Sequence, residues 1–529
     1  MSSTKPSPPH RSIAERKGPL LTPRVVKGSL SNAGSDFLHL DIGQAPRGGR
    51  AAWLADRLRR AIAERVVPVG ARLPATRVLA ADLGVSRGVV VEAYQRLMEE
   101  GQVAGRGRAG TVVVAAPIPA PPRWPNTGAQ PPSTGLGTGG PESATSAATR
   151  TTDPAGLFSS APGPDVFDAF RTAPARIDLT PGVPDLAAFP RAAWLRAERA
   201  VLGRLAAPDL GYGDPCGTPT LRRAVAGWLA RNRGIGADPA EVIITTGVSQ
   251  ALGLLAQALA ADGVTALGVE DPGSLGVRQH LNNWQLDTVP IPVDAAGLRV
   301  HELAASNLPA VVLTPAHQFP TGVVLAGGRR RQLADWARAG GLIVEDDYDA
   351  EHRYDRPPVP ALRATLPEQV CYAGSVSKLL APALRIGWLL VPRRYRDAVV
   401  AAKRNADLGN AVLPQLVLAE LITSGALERH LRLLRRRHVR RRDAMIAAVG
   451  RHLPGATVHG AAAGLHLTLT LAGEVADTEL AAAALARGVK VQPLSWHCQR
   501  PYPPGLVLGY AANSVSVIAE GVELLAATG

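Results

Sequence analysis

The sequence predicts an α/β fold in two folded parts. The larger is a doubly wound body, with a mixed, mostly parallel sheet and a small C-terminal α+β domain. The smaller is an N-terminal winged helix-turn-helix. Three observations predict this. At 529 residues the chain is too long for one ordinary domain. Helical and strand-like runs alternate from Ile177 onward, as in α/β folds. Near the N-terminus, two short helical patterns meet at a glycine-containing turn.

Residues 1–48 are rich in Ser, Pro and Arg, with one apolar patch at Phe37-Leu38-His39-Leu40, and are expected to form a flexible arm. Residues 49–115 are expected to form the head. Leu54, Leu58, Ile62 and Val66 recur at every fourth position among arginines, which predicts an amphipathic helix. Pro74 and Thr76 mark the start of a second helix, which Gly84 breaks. Val85 plugs the turn, and Ser86 is placed to cap a third helix running to Glu100. The N-terminal end of that third helix, Ser86-Arg87-Gly88, is the part such a motif sends into the DNA major groove. Two short strands around Gly105-Arg106-Gly107-Arg108-Ala109-Gly110 form a wing, whose Arg106 and Arg108 suit phosphates or the minor groove. A small helical bundle with a solvated basic face is the plainer alternative for each piece alone.

Residues 116–175 are Pro, Ala, Thr, Ser and Gly with little apolar periodicity, and read as a disordered linker. Residues 176–390 form the expected large domain. Helices are expected over 190–205, 218–233 and 250–261, and strands over 242–245, 266–269, 310–313, 342–344 and 370–373. Residues 391–529 form the expected small domain, with a basic helix over 429–442, a strand over 465–471 and a closing helix from Val515. The arginines of 435–442 read as a solvated helix face, with a second DNA-contact surface as the alternative.

Lys and Arg total 58 against 44 Asp and Glu, a net charge of +14. That excess is compatible with nucleic acid but does not by itself require it. Cys216, Cys371 and Cys498 are too few and too scattered for a disulfide framework or a zinc site. No apolar run reaches the roughly 18 residues of a membrane span, and the N-terminus lacks a signal-type core. The expected location is the cytoplasm.

The chemistry is expected just past the carboxyl ends of strands, where α/β sheets place ligand groups. After 242–245, the Val248 and Ser249 amides open a helix, an end that suits phosphate. After 342–344 comes Glu345-Asp346-Asp347-Tyr348-Asp349, which could hold a pyridine nitrogen protonated. A metal site is the alternative there, ranked lower because no His pairs with it at ligand spacing, although His352 is near. After 370–373 comes Ser375-Val376-Ser377-Lys378, with Arg385 beyond it. A partly desolvated lysine attacks aldehydes, and hydroxyls with an arginine suit phosphate. A surface loop carrying a lysine is the plain alternative.

The head resembles GntR-type bacterial regulators. The matching residues are Arg72-Leu73-Pro74, Thr76-Arg77, Leu83-Gly84-Val85-Ser86-Arg87, Ala93-Tyr94 and Gly110-Thr111. This implies double-stranded DNA as a partner, through Arg72, Thr76, Arg77, Ser86, Arg87, Arg106 and Arg108. Residues 177–529 resemble fold-type I pyridoxal-phosphate enzymes of the aspartate aminotransferase group. The resemblance implies Lys378 as the Schiff-base lysine, Asp346 on the pyridine nitrogen and Tyr348 on the phenolic oxygen. It places the phosphate among Ser375, Ser377, Arg385, Val248 and Ser249. Gly211-Tyr212-Gly213-Asp214-Pro215 resembles that group's segment crossing to a partner subunit, so Tyr212 would reach the neighbour's phosphate in a homodimer.

Head and body together resemble the MocR/GabR/PdxR regulators, with the further signatures His317-Gln318-Phe319-Pro320-Thr321-Gly322 and Ala463-Gly464-Leu465-His466-Leu467. The resemblance implies a transcriptional regulator that senses pyridoxal phosphate, or an amino compound joined to it, and binds paired or repeated half-sites. Genes of vitamin B6 or amino-acid metabolism are the implied targets. An active aminotransferase with a vestigial head is the alternative. Three departures stand out. Phe319 replaces the usual Asn, Ser274 replaces a common Tyr, and no arginine clearly matches the one that binds a substrate carboxylate, with Arg278 and Arg500 as candidates.

Overall fold

The computed structural model describes residues 40, 42–46, 49–105, 107, 110–115, 156–159, 161–354, 359–473 and 475–528. Most of the arm and of the linker, with Arg106 and Arg108, lie outside the described residues. The chain divides into a head and a body.

The head contains α1 (Arg50–Ala63), α2 (Thr76–Asp82), α3 (Arg87–Glu99) and the antiparallel pair β1 (Val103–Gly105) and β2 (Thr111–Val113). The stripe Leu54, Leu58 and Ile62 is buried, as an amphipathic helix requires. Val66 is not part of it. The helix ends at Ala63, Arg65 takes a left-handed φ of 62°, and Val66 is 54 % exposed. Gly84 carries the turn at φ 60°, a conformation that costs glycine little. Val90, Ala93, Tyr94 and Leu97 of α3 close the core.

The body begins earlier than its composition suggested. Helix α4 (Val166–Thr172) lies inside the stretch expected to be linker. Phe158 stacks on Trp496 with centroids 5.4 Å apart, and Phe170 meets the same indole edge-on at 5.3 Å. Three phenylalanines within thirteen residues supply enough apolar surface to offset the ordering of a short segment. Strand β3 (Ile177–Asp178) then pairs with β14 (Val489–Lys490), so this part of the chain belongs with the small domain. The described residues of 156–175 are thus packed on the body, where a disordered linker was expected.

Helices α5 (Arg191–Leu202) and α6 (Pro219–Arg233) lead into the main sheet. Thr218 caps α6 by accepting from the Leu221 amide at 3.3 Å, and Gly234 ends it at φ 71°. The sheet is built from β4 (Ile243–Thr245), β5 (Ala266–Asp271), β6 (Asp287–Asp294), β7 (Gly297–Leu298), β8 (Ala310–Leu313), β9 (Leu342–Asp347), β10 (Val370–Ser375) and β11 (Gly387–Leu390). Their spatial order is β4-β11-β10-β9-β8-β5-β6-β7. Pairing is parallel from β6 through β10, while β11 runs antiparallel between β10 and β4. Helices α7 (Val248–Ala261), α8 (Leu275–Asn283), α9 (Val300–Ala305) and α10 (Gly327–Arg338) connect these strands. Leu252, Leu255 and Leu259 of α7 pack on Ile243, Val344 and Ala373 of the sheet.

The rest comprises α11 (Arg393–Asp407), α12 (Val412–Thr423), α13 (Ala426–His452), β12 (Ala456–His459), β13 (His466–Leu471), α14 (Asp477–Ala486), β15 (Gln492–Pro493), β16 (Gly505–Gly509) and α15 (Val515–Ala526). Strands β12, β13, β16 and β15 form the small antiparallel sheet. The arginines of α13 are not a uniformly solvated face. Arg437 and Arg441 reach the buried Asp185 at 2.6 and 2.9 Å, while Arg442 lies over the Tyr354 ring. Trp388 is buried against Trp228, with centroids 5.6 Å apart.

Candidate functional site

The carboxyl ends of β9 and β10 open on one crevice of about 250 Å³, and Asp346, Tyr348 and Lys378 all line it. Lys378 sits in the tight turn after β10, where the Leu379 and Leu380 amides both donate to the Val376 carbonyl. Its amine donates to the Gly182 carbonyl. Burial pulls its pKa below the ordinary lysine value, opposed by the charges of Asp349 and Asp346. A desolvated amine of this kind is a ready nucleophile toward an aldehyde. Gly182 takes φ +86°, and a methyl group added there would lie 3.2 Å from Lys378 Nζ. The loop backbone thus approaches the amine as closely as glycine permits.

Asp346 is buried, and its Oδ1 has no hydrogen-bond partner. Burial, then the nearby Asp347 and Asp349, push its pKa up to about 7, against the pull of Lys378. A lone buried carboxylate oxygen calls for a cationic N–H. Tyr348 is held neutral, its pKa pushed well above the ordinary phenol by burial and by Asp349. Its hydroxyl lies 3.0 Å from His317 Nδ1 and 3.2 Å from the His317 carbonyl. His317 Nδ1 is also 2.9 Å from Asp349 Oδ2. His317 therefore orients the phenol and the acid together, while its Nε2 is buried without a partner.

The acidic run does meet histidines in space, but the cluster of ligand-type atoms does not include His352. His317, Asp349 and His466 bring ligand-type atoms within 4.8 Å of one another. The His317 and Asp349 atoms are engaged as above, and His466 Nε2 lies 3.1 Å from the Pro320 carbonyl. His352 instead approaches the Lys378 carbonyl at 3.2 Å.

Gly247 caps α7 at φ +107°, so the Val248 and Ser249 amides lie in the first turn of a 14-residue helix. A methyl group on Gly247 would sit 3.5 Å from the Arg385 guanidinium, which places a cation beside those amides. Arg385 itself takes a left-handed φ of 49°. Ser375 ends β10 and accepts from the Ser377 amide at 3.3 Å. Tyr212 does not line the Lys378 crevice; it is 97 % exposed, in a loop facing Asn410 across a separate hollow.

In the head, Arg77, Ser86 and Arg87 are exposed, and Arg87 Nε lies 3.4 Å from Thr76 Oγ1. The starts of α2 and α3 therefore stand side by side. Tyr94 fixes this geometry by donating to the Pro74 carbonyl at 2.9 Å. Arg72 bridges to Val112 of β2, and a methyl on Gly110 would come within 2.9 Å of its guanidinium.

Residues 176–506 match the model of class I and II aminotransferases, and residues 51–113 that of bacterial regulatory proteins of the gntR family. The chain is 32% identical over 477 residues to a probable rhizopine catabolism regulatory protein, MocR, of Rhizobium meliloti, covering 89% of this chain and 92% of that one. It is 31% identical over 450 residues to the pyridoxine biosynthesis transcriptional regulator PdxR of Corynebacterium glutamicum, covering 84% and 87%. The chain belongs to the MocR/GabR/PdxR family. The body also resembles the solved kynurenine aminotransferase of Pyrococcus horikoshii, with a TM-score of 0.63 and 27% identity over 69% of this chain and 93% of that one.

As a member of the MocR/GabR/PdxR family, the chain is a DNA-binding transcriptional regulator with an aminotransferase-like domain. That domain has the fold of a pyridoxal-phosphate-dependent enzyme class. Among the described residues, no helix is long and apolar enough to cross a membrane.

Relative to the pattern that the MocR/GabR/PdxR resemblance implied, Arg278 and Arg500 are both engaged by backbone carbonyls, with Arg278 close behind His497 of the crevice lining. Arg278 donates to the Trp496 carbonyl at 2.8 Å. Arg500 donates to the Pro290 carbonyl at 3.0 Å and lies 3.5 Å from Glu302. Neither lines the crevice, so neither is placed as a carboxylate partner. Ser274 caps α8, accepting from the Val277 amide at 3.3 Å. The sequence reading missed Gly182, Thr314, His466, Gln492 and His497, which line the crevice. His466 was legible within the Ala463-Gly464-Leu465-His466 signature; Gly182 and Gln492 lie in stretches with no local motif.

Proposed function

We propose that this regulator reads pyridoxal phosphate, alone or joined to an amino compound, and changes its hold on DNA accordingly. The observation that carries the reading is the unpartnered buried oxygen of Asp346, facing the same crevice as the desolvated amine of Lys378. The donor set fits the cofactor. Asp346 would hold the ring nitrogen, Tyr348 would donate to the phenolic oxygen, and Lys378 would condense with the aldehyde. The phosphate would rest on the Val248 and Ser249 amides, Arg385, Ser375 and Ser377. Bound there, the cofactor supplies an electrophilic carbon and an electron-withdrawing ring.

The DNA would be gripped by Arg72, Thr76, Arg77, Ser86 and Arg87, together with the wing arginines Arg106 and Arg108. In a homodimer, exposed Tyr212 would reach the partner's phosphate, and two heads would meet paired or repeated half-sites in the cytoplasm. An effector moves such a protein only as far as it prefers one conformer. The name of the Corynebacterium relative favours genes of vitamin B6 synthesis as targets.

The test has two arms. Purified protein with added pyridoxal phosphate should develop a visible band red-shifted from the free aldehyde, and Lys378→Ala should abolish it. A footprint on the protein's own upstream region should change when pyridoxal phosphate is added. A wild type with no band refutes the cofactor reading; an unchanged footprint refutes the sensing.

A further inference from the structure

The crevice has a second wall, beyond the groups assigned to the ring. Its carbon surface comes from Phe167 of α4, Phe319 and Leu465, and its polar groups are Ser274, Gln492 and His497. Among the described residues, Lys378 is the one cationic side chain lining the crevice. His466 and His497 are both buried, and burial holds their pKa values down near 3, so both rings are neutral. The acids close by are Asp346 on the wall and Glu270 just behind it, accepting from the Thr314 amide and hydroxyl at 2.9 and 2.8 Å. A carboxylate brought into this space would shed its water and meet carboxyl groups but no arginine on the lining; Arg278, behind His497, is held by the Trp496 carbonyl.

We infer that the amine this regulator accepts carries no carboxylate: its effector is a small primary amine with an apolar or neutral tail, not an amino acid. The inference rests on the cofactor reading above and narrows it. The crevice favours a small ligand, because its 250 Å³ falls below the roughly 300–1,000 Å³ typical of ligand sites, and the ring must share it. The lining favours an apolar tail, since two phenyl rings and a leucine belong to it. Gly276 is a position at which a cationic side chain can be introduced. It lines the crevice near the start of α8, and a methyl added there would meet nothing closer than Phe167 Cε2 at 3.6 Å. A longer side chain therefore has room to begin at that position.

The experiment uses the full chain loaded with pyridoxal phosphate, titrated with butylamine and separately with 4-aminobutanoate. These are matched in length and amine chemistry and differ by one carboxylate. The change in the visible spectrum is read against the same titrations of free pyridoxal phosphate. Butylamine should act at a concentration at least about tenfold lower. Equal or stronger action by 4-aminobutanoate overturns the proposal. Gly276→Arg should shift the preference toward 4-aminobutanoate, and Ser274→Arg provides the same test if the first variant does not fold. A preference unmoved in a folded, cofactor-loaded variant also counts against it. Failure of the cofactor reading would look different, because no protein-specific band would form before any amine was added.

Discussion

Asp346 shows how a single residue can carry both recognition and instability. Its pKa is raised from 3.8 to about 7, and that of Glu270 from 4.5 to about 7, in both cases chiefly by burial. Each therefore binds its proton more tightly when folded than when unfolded. Between about pH 4 and pH 7 the folded state holds the extra protons, so stability falls as pH rises through that window. These two acids lower the melting temperature of the cofactor-free protein at pH 8 relative to pH 5, while the buried neutral His466 and His497 act in the opposite sense. Compared with the wild type, Asp346→Asn should therefore gain several degrees at pH 8 relative to pH 5, and so should the protein with pyridoxal phosphate, whose protonated ring would give the carboxylate a partner. Scanning calorimetry at the two pH values checks this; an Asp346→Asn difference as large as the wild type's would mean the acid is not the source. The same substitution should weaken cofactor uptake on the order of tenfold or more, since a charged hydrogen bond is exchanged for a neutral one. Cys371, by contrast, lies in β10 with its pKa pushed up to about 12 and should stay inert to thiol reagents in the native protein.

At the scale of elements, the strands that announced themselves were the short apolar runs flanked by loops, such as 310–313 and 342–344. Three strands of the same sheet were silent: β6, β11 and the two-residue β7. β6 contains Pro290 and Pro292, which argue against a strand on sequence grounds. β11 is only the four residues Gly387–Leu390. Helix α4 was hidden by the Pro, Ala and Gly text around it, because composition averages away three phenylalanines. Phe170→Ala should therefore cost the body about 3–5 kcal/mol, the range for emptying a buried aromatic site. Denaturant unfolding checks this, and a loss below about 1 kcal/mol would return the segment to the linker. In the head, the turn and the α3 start were legible because glycine and small polar residues mark them. The Tyr94 bond to Pro74 was not, since it joins groups twenty residues apart. Arg87→Ala should weaken operator binding and reduce its salt slope by about one, with the cofactor band unchanged. An unaltered slope would remove Arg87 from the phosphate contacts.

At the scale of the molecule, the sequence displayed the site's reactive groups but not the space they share. Asp346 and Tyr348 lie at the end of β9 and Lys378 just past β10, and the sheet order sets β9 beside β10. The far wall comes from Phe167, Gln492 and His497, scattered over more than three hundred positions, and no local pattern could have gathered them. Within that wall, one loop answers to two masters. Gly182 gives its carbonyl to the Lys378 amine, and three residues later Asp185 is gripped by Arg437 and Arg441 of α13. An amine that takes an aldehyde must let go of Gly182. The loop is thus a latch with two catches, and loading of Lys378 would release one while the arginines keep the other. Amide exchange across 181–185 should quicken when pyridoxal phosphate is added, and that loosening would arrive first at the middle of a 27-residue helix.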